Sequence, residues 1–314
     1  MEKILITGGA GFIGSNLANH LSAEYDITVV DDLSMGSESN LDKSDNIHFH
    51  HESVLNTDFM TKLLTEQNFD YIFHLAAIAS VADSVERPIE THDVNFNSVL
   101  TMLETLRHLP NRRLKRLVFA SSAAVYGDEP TLPKQEESVI RPLTPYAIDK
   151  FAAEKFVLSY HHLYGVPTAA VRFFNVYGPN QNPSSPYSGV ISILTDRFMK
   201  KVNGEDSQFT LFGDGEQTRD FVYVKDVLQA LWLVATKEQS LGEVYNVGTG
   251  IATSLNNLID SMHQSLSVEL PIQHEATREG DIPFSYANIE KLTSLGYQPK
   301  YTIQTGIHEY LQSF

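Results

Sequence analysis

The chain has 314 residues, 42% hydrophobic, 20% charged and 10% aromatic, with a formal net charge of −16. That composition suits one large or two closely packed globular domains. The acidic balance, without any Lys/Arg-rich run, argues against a nucleic-acid partner. Cysteine is absent, which excludes disulfides, thiolate nucleophiles and Cys-ligated zinc.

The first half alternates short β-branched runs with helical patterns, as βαβ units do. Strands are predicted at residues 4–7, 27–31, 47–50, 71–76, 117–121 and 168–174, and helices at 12–23, 57–67, 93–109 and 145–163. Right-handed crossovers would put these helices on both faces of a parallel sheet. Beyond Asn175 the rhythm changes. Residues 178–189, rich in Pro, Asn and Ser, read as a long functional loop. A helix (190–202), a strand (209–212), a helix (224–236) and a strand (244–247) follow, then further helices and loops. The expected fold class is α/β: a doubly wound parallel sheet with a smaller, discontinuous C-terminal α/β substrate domain. Residues 1–174 would bind a cofactor, 221–248 returning to that domain, and 175–314 would mainly bind substrate.

The twelve histidines show no metal-ligand spacing, so no metal is expected. No signal segment precedes the first strand, which begins at Lys3, and the apolar stretch 227–235 is too short to span a bilayer. No membrane partner and a cytoplasmic location are therefore expected.

Thr7-Gly8-Gly9-Ala10-Gly11-Phe12-Ile13-Gly14 joins the first predicted strand to the first helix. Gly8 suits a tight turn, Gly11 the approach of a pyrophosphate, and Gly14 close helix–strand packing. The helix N-terminus offers free N–H groups and positive dipole to phosphates. Asp31 ends the second strand where a carboxylate would take the adenosine ribose hydroxyls and repel a 2′-phosphate. No Arg or Lys stands between Asp31 and Lys43. Together these features describe a Rossmann dinucleotide site that prefers NAD over NADP.

Tyr146-Ala-Ile-Asp-Lys150 is the single Tyr-x-x-x-Lys of the chain. Thr144-Pro145 ahead of it reads as an N-cap and a first-turn proline. Positions four apart share a helix face. A phenol with a pKa near ~10 is a poor base at neutral pH. A neighbouring ammonium and a cationic nicotinamide would favour its phenolate. Ser121-Ser122, at the end of the fifth strand, offers a hydroxyl to the same proton.

At this point the chain resembles the extended short-chain dehydrogenases that act on nucleotide sugars. The resemblance runs over nearly the whole chain. It is carried by His74-Leu-Ala-Ala77, Ser121-Ser-Ala-Ala-Val-Tyr-Gly127, Tyr146-x-x-x-Lys150, Arg172-Phe-Phe-Asn175-Val-Tyr-Gly178, Gly213-Asp-Gly215, Arg219-Asp-Phe-Val-Tyr-Val224 and Arg278-Glu-Gly-Asp281. It implies Tyr146 as base, Lys150 as its activator and Ser122 as the hydroxyl partner. Cofactor contacts are expected from Gly8, Gly11, Phe12, Ile13, Asp31, Asp32, Leu33, Ser34, Gly36, Glu52, Ser53, Leu75, Ala76, Ala77, Ala120, Tyr146, Lys150 and Phe173. Substrate contacts are expected from Ala79, Ser80, Ser122, Asn175, Ser188, Val190, Phe212, Arg219, Arg278, Asp281 and Ser285. Within that set Arg219 and Arg278 would neutralise a diphosphate, which suits guanidinium forks. Phe212 would pack on uracil, and Asp281 would take a ribose hydroxyl. Glu52-Ser53 departs from the family's usual Asp-apolar pair at the adenine end.

The resemblance also implies a reaction: oxidation of a sugar at C4 to a ketone. Dehydratases of the family follow the catalytic hydroxyl with an acidic pair, and decarboxylating relatives place a Glu second. Here those places are Ala123 and Ala124, which leaves return of the same hydride to the other face, a 4-epimerisation with no net redox. A Tyr four residues after Asp281 marks glucose-restricted relatives, and a Lys at the Ala79 position often does so too. Ser285 and Ala79 therefore point to UDP-N-acetylglucosamine and UDP-N-acetylgalactosamine, with UDP-glucose and UDP-galactose as a second pair. A UDP-glucose-only or UDP-uronate 4-epimerase is the alternative, although Asn175 stands where uronate enzymes tend to carry Thr. An NAD-binding sensor without turnover is the alternative of a different class, set against the intact Tyr146, Lys150 and Ser122. A homodimer is expected through 93–109 and 151–163, using Leu100, Leu103, Leu106, Phe156 and Leu163.

Overall fold

The computed structural model describes residues 1–181, 189–277 and 282–314. In chain order its first half runs β1 (Lys3–Thr7), α1 (Phe12–Leu21), β2 (Asp26–Asp31), β3 (Ile47–His51), α2 (Thr57–Gln67), β4 (Tyr71–His74), α3 (Val81–Glu86), α4 (Pro88–His92), α5 (Ser98–His108), β5 (Arg116–Ser122), α6 (Pro145–Tyr164) and β6 (Thr168–Phe173). It continues through β7 (Asn175–Tyr177), α7 (Val190–Val202), β8 (Phe209–Phe212), β9 (Thr218–Arg219), β10 (Phe221–Tyr223), α8 (Val224–Thr236), β11 (Val244–Val247), β12 (Thr253–Ser254), α9 (Leu255–Leu266), β13 (Ile272–Glu275), α10 (Glu290–Thr293) and α11 (Ile303–Leu311).

Seven strands form one parallel sheet in the order β11-β6-β5-β4-β1-β2-β3. Successive side chains of a strand face opposite ways, and β1 shows the consequence. Ile4 and Ile6 join Leu17 of α1 and Val227 and Leu231 of α8 in one apolar cluster. Leu5 joins Leu63 of α2, Leu103 of α5 and Val157 of α6 in the other. Helices therefore cover both faces, and the doubly wound parallel fold follows. The C-terminal elements pack onto the first of these clusters. Phe198 of α7, Leu211 of β8, Leu258 of α9 and Tyr310 of α11 extend the first cluster.

Several boundaries differ from expectation. α1 stops at Leu21, and β4 stops at His74. After it, Leu75 N still bonds the Thr7 carbonyl, but Ala76 N turns to the Thr7 hydroxyl. The helix predicted at 93–109 is preceded by α3 and α4, and residues Asp93–Asn97 form a π turn before α5. Two sequence signals for the extra helices were present: Ser80, whose hydroxyl caps Asp83 N at 2.9 Å, and Pro88 at a first helical position. α6 begins as predicted. The Thr144 hydroxyl accepts from Ala147 N, and Gly165, at φ +64°, ends the helix. Leu103 and Leu106 are buried in the chain's own core, which removes them from the face expected to meet a second copy. Phe156 and Leu163 are exposed. Among the described residues no helix is long and apolar enough to cross a membrane.

Candidate active site

The turn after β1 is built by backbone crowding. Gly8 sits at φ +68°, and a Cβ there would lie 2.7 Å from Ala76 N. A Cβ on Gly14 would lie 2.2 Å from the Gly8 carbonyl oxygen. Glycine at these two places lets the start of α1 close against the ends of β1 and β4. Gly11 is the N-cap of α1 and offers no side-chain cap, so the helix's first N–H groups face a ligand position. Phe12 and Ile13 open that first turn.

Asp31, at the end of β2, is buried. Its Oδ2 accepts from Ala10 N at 2.9 Å and its Oδ1 from Leu33 N at 2.8 Å. The carboxylate therefore braces the glycine turn and keeps one further lone pair on each oxygen. Asp32 and Ser34 are exposed, and Ser34 N bonds the Asp32 carboxylate. Gly36 packs against Ala10 so closely that a Cβ would lie 2.7 Å from its carbonyl carbon. Glu52 N bonds the Asp31 carbonyl, and the Glu52 carboxylate accepts from Ser53 N. Leu75, Ala76 and Ala77 leave β4 alongside the glycine turn, and Asn95 holds the next residue by bonding both backbone groups of Ile78, at 2.8 and 3.0 Å. A glycine turn, a free helix start and a buried carboxylate with spare acceptor capacity at the carboxyl ends of parallel strands fit NAD.

The three reactive groups converge at the next strand ends. Lys150 and Tyr146 are buried one turn apart on α6. Lys150 Nζ donates to the Ala120 carbonyl at 2.9 Å and lies 6.0 Å from the Tyr146 ring centroid. Burial pushes Lys150 down to about 7, with nearby Asp149 partly opposing. Burial also raises Tyr146 above its ordinary value, and a hydrogen bond with Ser122 pulls the other way. Desolvation is the larger of the two causes, and the Lys150 ammonium is turned to a carbonyl and is itself driven toward neutrality. The lowering expected from an ammonium together with a cationic nicotinamide belongs to the cofactor-bound site. His74, behind Lys150, donates or accepts at the Thr7 hydroxyl at 2.8 Å and is pushed down to about 3 by burial, so it is neutral. Phe173, at the end of β6, is half-buried.

A cavity of about 430 Å³ opens beyond the sheet edge and brings together Asn175, Val190, Phe212 and Arg219. Arg219 Nη1 donates to the Thr218 carbonyl at 2.9 Å. Ile193, Arg197, Gln208 and Gln217 line the same cavity and were missed. The spacing of Val190, Ile193 and Arg197 puts them on one face of α7, a signal that could have found them. Ser285 is half-buried, with its N–H on the Thr218 carbonyl at 3.1 Å, next to Arg219. Ala79 is exposed, and the Ser80 hydroxyl is committed to the cap of α3. Ser188, Arg278 and Asp281 lie outside the described residues. Among the described residues no group of three or more His, Asp or Glu could hold a metal ion.

The sequence pattern described as the NAD dependent epimerase/dehydratase family matches residues 4–248. A putative UDP-glucose 4-epimerase of Methanocaldococcus jannaschii is 36% identical, over 97% of this chain and 95% of its own. Among solved structures, the UDP-N-acetylglucosamine 4-epimerase of Methanobrevibacter ruminantium M1, in complex with UDP-N-acetylmuramic acid, superposes with a TM-score of 0.91. It is 33% identical and covers 99% of this chain and 97% of its own. The UDP-glucose 4-epimerase of Thermotoga maritima with UDP-glucose gives 0.90 at 33% identity, over 99% and 97%.

Proposed function

The chain belongs to the NAD-dependent epimerase/dehydratase family, and from that premise we propose that it interconverts UDP-N-acetylglucosamine and UDP-N-acetylgalactosamine at C4. It is an NAD-dependent nucleotide-sugar 4-epimerase. The acetamido preference, with UDP-glucose and UDP-galactose as a second pair, is our reading of Ser285. A serine beside Arg219 leaves the volume of a phenol ring free for an N-acetyl group and offers it a hydroxyl. UDP-glucose alone is the second reading, favoured by the names of two of the relatives.

NAD, held by the glycine turn and Asp31, would supply the acceptor and donor of the hydride exchanged at sugar C4. Tyr146 takes the O4 proton and later gives it back, with the Ser122 hydroxyl sharing it. Lys150 holds Tyr146 and the strand end in fixed relation and, in its protonated form, places positive charge beside the phenolate. Ala123 and Ala124 follow Ser122, so this segment offers no carboxylate to draw water or carbon dioxide from the ketone. The ketone turns over beside Tyr146 and Ser122 and is reduced on its other face. Arg219, with Arg278, neutralises the diphosphate, while Phe212 and the glutamines of the cavity receive the base. Residues 1–174 with 221–248 form the cofactor half in this reading, and the remainder the substrate half. Two copies would meet through the exposed Phe156 and Leu163 of α6.

The observation that carries the proposal is the meeting of buried Tyr146 and Lys150 with Ser122 at a strand end followed by two alanines. The test is incubation of the purified protein with UDP-N-acetylglucosamine, without added cofactor, resolving the products by NMR. Accumulation of UDP-N-acetylgalactosamine is expected. Turnover of UDP-glucose but not of the acetamido sugar would overturn the Ser285 argument alone, and inactivity on both with NAD bound would overturn the substrate reading in favour of a UDP-uronate or of a sensor without turnover.

A further inference from the structure

Along α6, Tyr146 and Lys150 are followed at the same four-residue spacing by Glu154, on the same helix face. Glu154 is fully buried. Its carboxylate accepts a fork from Arg172 of β6, Nε at 2.9 Å and Nη2 at 2.6 Å. It also accepts from the Ser121 hydroxyl of β5, at 2.7 Å. The remaining arm of Arg172, Nη1, donates to the Tyr126 hydroxyl at 2.8 Å and to the Glu136 carbonyl at 2.9 Å. Tyr126 in turn donates to Asn246 Oδ1 of β11 at 2.6 Å.

Two consecutive residues of β5, Ala120 and Ser121, are thus tied to two consecutive turns of α6, through Lys150 and Glu154. The next residue of β5 is Ser122, and the turn of α6 before Lys150 carries Tyr146. A buried ion pair adds little net stability over apolar residues of the same volume, so stability is a poor reason for placing one here. Its geometry is specific: a planar fork fixes the carboxylate in two directions at once.

We propose that the Arg172–Glu154–Ser121 clamp is a positioning element for proton transfer, setting the height of α6 against β5 and hence the approach of Tyr146 to Ser122. Neither Glu154 nor Arg172 touches the reacting atoms; both act through Tyr146. The proposal rests on the 4-epimerase reading for its consequence in turnover but not for its geometry.

The test compares the unsubstituted holoenzyme with Ser121→Ala, which keeps the ion pair, and Glu154→Gln, which removes its charge. Two quantities are read. The first is kcat and KM for the UDP-sugar that the unsubstituted enzyme turns over, per NAD-loaded chain. The second is the ionisation midpoint of Tyr146, taken as the phenolate absorbance lost on adding Tyr146→Phe to each background. The clamp predicts a fall in kcat of about 10-fold for Glu154→Gln and about 3-fold for Ser121→Ala, with KM held within about 2-fold. It also predicts a Tyr146 midpoint moved upward in both, because the hydrogen bond from Ser122 is loosened. A merely structural pair would lower the melting temperature and move neither quantity. Should Glu154→Gln not fold, Ser121→Ala decides. An unchanged midpoint in folded Ser121→Ala overturns the clamp, whatever happens to turnover. Absence of UDP-sugar turnover in the unsubstituted chain overturns the functional reading instead, and the titration still judges the clamp.

Discussion

Lys150 reaches back from α6 to the Ala120 carbonyl, 2.9 Å away, and is buried where it does so. That bond joins the helix that carries Tyr146 to the strand that ends in Ser122. The ammonium is thereby both a brace and a group taken out of water, and the second condition drives it down to about 7.

A pH dependence follows. Between about 7 and the ordinary lysine value of 10.5 the unfolded chain binds one more proton at Lys150 than the folded chain. Lys150 therefore makes stability rise with pH across that window, and its full cost stands at and below its lower edge. Urea unfolding of NAD-free protein should show Lys150→Met most stabilised relative to the unsubstituted chain near neutrality, with the gap closing toward alkaline pH. A gap independent of pH would sink the assignment.

Tyr146→Phe removes the proton acceptor and little else, since the ring stays buried. Epimerisation should fall by about 10²–10⁴-fold, while NAD released on denaturation stays at the unsubstituted level. Residual turnover within about 10-fold would point to another base.

Gly14→Ala places a methyl 2.2 Å from the Gly8 carbonyl oxygen, against backbone that cannot rotate away. Overpacking of this kind costs about 1–3 kcal/mol and pushes the helix start from the glycine turn. The urea midpoint and the NAD content should drop together. A loss of stability with full NAD retention would separate the turn from the cofactor site.

Asp31→Ala strips the acceptor from Ala10 N, at about 1–3 kcal/mol for a buried donor left unpaired. The purified variant should carry substoichiometric NAD, and its discrimination against NADP should weaken because the charge that repels a 2′-phosphate is gone. Titration of the stripped protein with both cofactors measures the two effects separately.

Ser285→Tyr should restrict the space that the acetamido reading places beside the sugar. The ratio of kcat/KM for UDP-N-acetylglucosamine to that for UDP-glucose is expected to fall by about 10-fold or more. If the ratio holds, Ser285 does not face the C2 substituent.

Much of this was legible in the residues. The glycine spacing, Asp31 some twenty residues on, the Thr144-Pro145 cap and the Tyr146–Lys150 interval are local patterns, and local geometry fixes what they do. The alanines after Ser122 argue the reaction through the resemblance, whose dehydratases and decarboxylating members carry acids there. What the sequence left open depended on contacts between distant segments. No periodicity reveals that Asp31 braces Ala10, that Glu154 meets Arg172 and Ser121, or that Gln208 lines the cavity of Phe212. The proximity of Lys150 to Tyr146 is written in the spacing, whereas the depth of burial that raises the phenol is set by the sheet, α6 and the loops packed over them. Sequence determines which groups share a helix face or a strand end. Only the folded chain decides how far each is removed from water, and at Tyr146 and Lys150 that removal sets the direction of the shift.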